Sequence, residues 1–214
     1  MSRHIKIALI VLGVGFAVAF GFFVDVVGRV QSMMKNDRET EEFKAPAQPL
    51  YSPTDPPLNV KLFFPSTNTD PLLMAEDFTI FKSGQVGNRA KQILQYLQEG
   101  PHAEGLVPSL PDDAKVQDLF ISEQGTAFVN FSNTLETNHP GGVMNELATI
   151  YSIVNSLTYN LPEIKEVKIL IGGVEKETLA GHCLLLLPFT MDLSLTNVTK
   201  EEKTATLLGR SASQ

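Results

Sequence analysis

Four histidines, one cysteine and a few acidic clusters are the side chains of this chain best suited to chemistry. His4, His102, His139 and His182 never stand three or four positions apart, so no pair on one helical turn grips a metal ion. His182 and Cys183 are neighbours. On a strand, adjacent side chains point to opposite faces, which is poor geometry for a thiolate–imidazolium pair. Cys183 heads the apolar run Cys183-Leu-Leu-Leu-Leu187 and reads as a buried small hydrophobe. Ser132, His139 and Asp112 supply the residue types of a hydrolytic triad, yet no Gly-x-Ser-x-Gly elbow presents the serine. Gly84-Gln-Val-Gly87 precedes a helical pattern, where backbone N–H groups can hold an anion, but it lacks the Lys-Ser/Thr ending of a phosphate loop and reads as a turn. Asp112-Asp113 and the pair Glu163 and Glu166 lack calcium-loop spacing and read as solvated acidic surface. No catalytic residue, cofactor or metal site is therefore expected, and a hydrolase is the class with the least support.

Composition narrows the field further. The chain has 214 residues, 17 basic against 24 acidic side chains, a net charge of −7 and no Trp. That length suits one domain with attached segments. A nucleic-acid surface needs clustered Lys and Arg, and none is present. The single cysteine excludes an internal disulfide, and it lies too far from the N-terminus to be a lipid-bearing anchor.

The first 58 residues divide into an anchor and a tether. After Arg3, His4 and Lys6, an uncharged stretch runs from Ile7 to Val24 and is closed by Asp25. As a helix it would be about 27 Å long, close to the ~30 Å hydrocarbon thickness of a bilayer. Ala17-Val18-Ala19 resembles a signal-peptide cleavage site, but Phe20, Phe22, Phe23 and Val24 continue the apolar span beyond it. An uncleaved signal anchor over residues 1–28, with Ile7 and Val24 bounding the span, is the expectation. Basic residues on its two sides nearly balance, and those upstream sit closer, placing the bulk of the chain outside the cytoplasmic membrane. Residues 29–58 carry Pro46, Pro49, Pro53, Pro56 and Pro57 with almost no periodic apolar pattern, as a flexible tether does.

From residue 59 to 195 the periodicity alternates. Val60, Leu62 and Phe64 mark a half-buried strand, and residues 77–82 a second. Val86, Ala90, Ile93, Leu94 and Leu97 fall on one helical face, stopped by Gly100-Pro101. Residues 115–121 and 126–131 read as a hairpin turned at Glu123-Gln124-Gly125. Gly141-Gly142 opens a long helix striped by Val143, Leu147, Ile150, Tyr151, Val154 and Leu157, and Leu161-Pro162 ends it. Val167, Ile169 and Ile171 form another strand, turning at Gly172-Gly173 into Val174. The expected class is α/β (α+β): a mixed sheet of about six short strands with two main helices packed on it, preceded by one transmembrane helix. Residues 196–214 read as a disordered tail.

Several ordered segments resemble one family. Leu97-Gln-Glu-Gly-Pro101, Leu106-Val-Pro-Ser-Leu-Pro111 and Gly125-Thr-Ala-Phe-Val-Asn-Phe-Ser132 come first, then the helix from Glu146 to Leu157. Val167-Lys-Ile-Leu-Ile-Gly-Gly173, Thr178-Leu-Ala-Gly-His182 and Pro188-Phe189 follow. Together they are similar to the GerMN domain, named for a spore germination and sporulation protein of bacteria. The resemblance spans residues 60 to 190. It implies a small mixed α/β fold related to the ring-building modules of secretion and sporulation assemblies, an extracytoplasmic location and no catalytic residues. Asn130 departs from the family pattern, which has Asp there, and one copy of the module is present where the namesake has two.

A non-enzymatic interaction module follows as the expected function. It would be held outside the bacterial cytoplasmic membrane, with envelope proteins or a second copy as partners and no nucleic acid. The alternative is a peptidoglycan-binding or wall-remodelling accessory module. Residues 58–195 carry eight Lys or Arg against sixteen Asp or Glu, a net charge of −8 that repels anionic wall polymers and headgroups. Scarce Tyr and absent Trp remove the usual stacking platforms for sugars.

Overall fold

A computed structural model describes residues 16, 20–25, 27, 49–68 and 70–205. The chain divides into two units, Met1–Gln48 and Pro49–Gln214. In the first, the described positions are helical. The expected span from Ile7 to Val24 lies largely outside the described residues. Among those that are described, no helix is long and apolar enough to cross a membrane.

The second unit runs β1 (Pro57–Pro65), β2 (Leu73–Phe81), α1 (Val86–Glu99), β3 (Val116–Ile121), β4 (Thr126–Phe131), α2 (Thr134–Thr137), α3 (Val143–Asn160), β5 (Glu166–Ile171) and β6 (Phe189–Thr190). The mixed α/β expectation stands, but the strands form two sheets rather than one. β1 and β2 make an antiparallel ribbon, while the other four lie in the order β3-β4-β5-β6, with β4 and β5 parallel. The physical reason is on the outer side of β1. Lys61 N–H donates to Asn160 Oδ1 (3.0 Å), and Lys61 C=O accepts from Asn160 Nδ2 (2.6 Å). One residue pair along, Phe63 N–H donates to Ser156 Oγ (3.0 Å) and Phe63 C=O accepts from Ser152 Oγ. Ser152, Ser156 and Asn160 recur every fourth residue and so form one row on α3. That row occupies the edge where a further strand would pair, so β1 cannot join the larger sheet.

β1 is buried on both faces. Val60, Leu62 and Phe64 enter the main core with Ile93, Leu94, Val129, Ile153, Val154, Leu157 and Ile169. Phe63 points the other way, into a smaller cluster with Leu73, Tyr159, Leu193 and Val198, and meets Tyr159 edge-on at 5.4 Å. Residues 196–205, expected in the tail, therefore pack. Val198 covers Phe63's side of the ribbon, and Lys203 Nζ donates to Thr158 C=O (3.2 Å). Thr199 and Glu202 exchange N–H bonds in a capping box that starts a helix over residues 200–205. The ordered unit likewise begins before residue 58, since Pro57 opens β1 and Tyr51 stacks on Phe81 at 4.1 Å.

The hairpin turns where the sequence places it. Gly125 adopts φ +96°, and an added Cβ would lie 2.8 Å from Glu163 C=O. Within α3 the expected stripe holds from Ile150 to Leu157, while its first member, Val143, is exposed and Leu147 is half-buried outside both core clusters.

Asn160 answers both main-chain groups of Lys61, so Asn160→Ala leaves two of them without a partner. A loss of about 2–3 kcal/mol in urea unfolding is expected. Asn160→Asp, which keeps an acceptor for the N–H but loses the donor, is expected to restore little of it.

Candidate functional site

Of the chemistry-bearing side chains, Glu146, His182 and Cys183 meet between the start of α3 and the segment from Leu179 to Leu187. Glu146 is 0% exposed and carries the only charge in α3. Its carboxylate accepts from Cys183 N–H (2.7 Å), His182 N–H (3.1 Å) and His182 Nδ1 (2.7 Å). Burial alone would push this carboxyl up. The bonds from Cys183, the His182 ring, Ala180 and the His182 main chain outweigh burial and hold it below its usual 4.5. His182 and Cys183 are thus not strand neighbours aimed at opposite faces. They sit in a loop whose N–H groups both turn toward one carboxylate. Cys183 is half-buried rather than buried, and burial followed by the charge on Glu146 pushes its thiol up, away from a reactive thiolate.

The other end of this loop is held by the opposite charge. Lys168, 3% exposed, donates through Nζ to Leu185 C=O (2.9 Å) and Leu186 C=O (2.5 Å) and lies 3.4 Å from Glu175. One buried anion takes the loop's N–H groups and one buried cation takes its carbonyls. Between them Leu185 is buried, while Leu184, Leu186 and Leu187 face solvent, Leu187 at 76% exposure. Sequence reasoning missed both clamps. The available signal was Glu146 as the lone charge of α3 and Lys168 set between the apolar residues Val167 and Ile169 of β5.

Ser132, His139 and Asp112 are not brought into a triad. Ser132 Oγ pairs with Thr134 Oγ1 (2.6 Å) and accepts from Lys115 N–H (2.9 Å). His139 Nε2 donates to Thr149 Oγ1 (3.0 Å), whose own proton goes to Ser109 C=O (2.7 Å), and Nδ1 accepts from Gly141 N–H (3.0 Å). Both ring nitrogens are committed in the neutral form. Burial lowers the imidazole below its usual 6.5, and the charge on Glu146 offsets only part of this. A cavity of about 230 Å³ opens beside it, walled by Pro65, Pro108, Pro111 and Pro140. Ser109 also lines it, and its buried Oγ has no hydrogen-bond partner among the described residues. The His139 ring, which lines the same cavity, has no nitrogen left to act as a base.

The remaining candidates also serve the fold. Gly87 lies within the first turn of α1, and Gln85 N–H donates to Ser83 Oγ (3.4 Å). Asp113 accepts from Asn138 Nδ2 (2.6 Å), Glu163 pairs with Arg89 (2.6 Å) and Glu166 accepts from Thr126 Oγ1 (2.7 Å). His102 stacks on Phe78 at 5.0 Å. Among the described residues no group of three or more His, Cys, Asp or Glu is arranged to hold a metal ion. Asn130 uses both ends of its amide: Oδ1 accepts from Gly173 N–H (2.8 Å), and Nδ2 donates to Gln117 Oε1 (3.2 Å) and faces Asp118 (3.4 Å). An aspartate there would turn a carboxylate toward Asp118.

The sequence profile of the Germane family, described as sporulation and spore germination, matches residues 61–177. No curated protein matches the chain. Among solved structures, the tandem GerMN domains of the sporulation protein GerM from Bacillus subtilis align with a TM-score of 0.51 at 25% identity, over 62% of this chain and 46% of that one. The first GerMN domain of the same protein gives 0.49 at 27% identity, over 63% and 96%. A candidate lipoprotein from Clostridium perfringens gives 0.46 at 24% identity, over 65% and 93%.

Both Glu146 and His139 bind fewer protons folded than unfolded, so acid destabilises the domain through each. The contribution of His139 is full above pH 6.5 and is lost as pH falls below it, and that of Glu146 is full above pH 4.5 and is lost below that. Glu146→Gln is expected to cost about 2–3 kcal/mol at neutral pH. It should also flatten the lower part of the stability–pH curve and, by removing the charge that partly offsets burial at His139, extend the upper part to lower pH, as read from urea midpoints across pH.

Proposed function

Since this chain belongs to the Germane family of sporulation and spore germination proteins, we propose that it is a non-enzymatic interaction module of the bacterial cell envelope, anchored in the membrane and working outside the cytoplasm. The observation that carries this reading is the clamped leucine loop. Two charged side chains are withdrawn from water to fix a segment whose Leu184, Leu186 and Leu187 add nothing to the core. Withdrawing an ion from water costs several kcal/mol, which its new bonds must offset. A fixed, exposed apolar loop on an otherwise acidic domain is what a protein partner recognises through anchor residues.

Anchoring is supported by the uncharged stretch from Ile7 to Val24 and by the proline-rich segment after it. The loop is also uncharged from Leu179 to Met191 apart from His182, so its partner surface is apolar rather than polyanionic. Sugar polymers of the wall fit it poorly.

A photoreactive residue at Leu187 of the full-length chain in bacterial cells is expected to capture one or a few envelope proteins that the same probe at Lys91, on the exposed side of α1, does not. Identical capture from both positions would sink the docking role.

A further inference from the structure

The sheet edges of this domain are treated unequally. The outer edge of β1 is filled by Asn160, Ser156 and Ser152. That of β2 is met at Leu73 by Thr196, at Ala75 by Asn197 (3.0 Å) and at Phe81 by Gln92 (2.8 Å). β6 is only two residues long. β3 is six residues long, ends its sheet and has no such cover among the described residues. Ser122 N–H bonds Thr126 C=O (2.9 Å), so with a period of two Phe120 also faces β4, and the main-chain groups of Leu119 and Ile121 face outward. A groove of about 440 Å³ runs there, lined by the consecutive residues Leu119, Phe120, Ile121, Ser122 and Glu123 with the start of α1 opposite. Side chains of a strand alternate between faces, so only its edge can present five consecutive residues to one groove. Phe120 is 66% exposed and extends an aromatic row with Phe128, 6.2 Å away.

An unprotected edge pairs with another strand. We propose that the partner strand is β3 of a second copy of this chain, laid antiparallel with the two-fold axis at Phe120. The occupant follows from the residues. Read against itself about Phe120, the segment Asp118-Leu-Phe-Ile-Ser122 sets Leu119 opposite Ile121 and Asp118 opposite Ser122. Apolar residues meet apolar ones, and each carboxylate meets a neutral donor rather than another carboxylate, the arrangement that favours cross-strand pairs. Each Leu119–Ile121 pair exchanges two main-chain hydrogen bonds, and the Phe128–Phe120 row continues across the axis into its copy. The β-bulge between Val116 and Asp118 ends the pairing on one side, and the Glu123-Gln124-Gly125 turn ends it on the other. This deepens the interaction-module reading and rests on it. One edge takes a copy, which leaves the leucine loop for a different protein.

At the axis the two Phe120 residues form a pair without hydrogen bonds across the new edge, with Cα atoms about 4.5 Å apart, close enough for a disulfide. The test uses the full-length chain in detergent micelles with Cys183→Ser as background. Phe120→Cys is expected to give a covalent dimer on mild oxidation, and Lys91→Cys is not. Adding Ser122→Asp, which sets carboxylate against Asp118 of the copy, should cut the dimer yield several-fold, and adding Asp118→Lys to that should restore it. A Phe120→Cys chain that stays monomeric, a dimer indifferent to Ser122→Asp, or a loss that Asp118→Lys does not restore overturns the pairing. If the cysteine stays monomeric while the Leu187 probe still captures envelope proteins, the pairing alone falls. Silence from both removes the module reading too.

Discussion

The structure depends on one constraint: the buried edge of β1 must find hydrogen-bond partners, and it finds them on a helix. A buried main-chain group left unpaired costs about 1–3 kcal/mol. Four such groups, on Lys61 and Phe63, are met by Asn160, Ser156 and Ser152. A primary amide carries a donor and an acceptor side by side, as a peptide unit does. The same device recurs. Asn155 answers both groups of Asp192, and Gln92 answers both groups of Phe81. Each lets the chain end a sheet inside the protein without stranding its backbone.

The clamps on the leucine loop extend this logic from neutral groups to charged ones. Backbone N–H groups gathered at Glu146 and carbonyls gathered at Lys168 form charge-assisted bonds, stronger than neutral ones by roughly a factor of two. They offset desolvation only because several converge on each ion. The loop's shape is thereby fixed by main-chain contacts, which leaves Leu184, Leu186 and Leu187 free of structural duty. Glu146 and Ser152 lie on the same helix, so the site that shapes this surface and the site that closes the ribbon are coupled through α3.

Much of the fold was legible in the sequence because its signals are local. Alternation in β1, the 3.6-residue stripe of α1 and the Gly125 turn each depend on a few neighbouring residues. What escaped depends on distant ones. A row of Ser152, Ser156 and Asn160 looks like a weak polar face until β1 is seen beside it. Phe63 was the clue that the second side of the ribbon is covered, since an apolar residue out of phase with Val60, Leu62 and Phe64 needs shelter. The packing of residues 196–205 was hidden for the same reason: Val198 is one hydrophobe among small polar residues, and only Phe63 and Tyr159 give it a place; residues 206–214 of the expected tail lie outside the described ones. The candidate triad and metal residues were individually plausible and collectively apart, because residue type says nothing about which partner each has already taken.

Sequence separation also decides how the domain must form. The bonds from α3 to β1 join residues 89 to 99 positions apart. Contacts so distant carry a large loop-closure cost before any return, and they slow folding while making it cooperative. Neither partner is self-sufficient. Alone, β1 and β2 make a two-stranded ribbon, marginal in water, and α3 alone is a helix with seven polar side chains among its buried positions. Residues 191–203 then seal the far side, through Leu193, Val198 and Lys203. The piece that keeps these contacts therefore runs from β1 to Lys203, beyond the 61–177 span that carries the family's sequence pattern. The family signature marks the shared scaffold, and the residues after it close the surface that the scaffold leaves open.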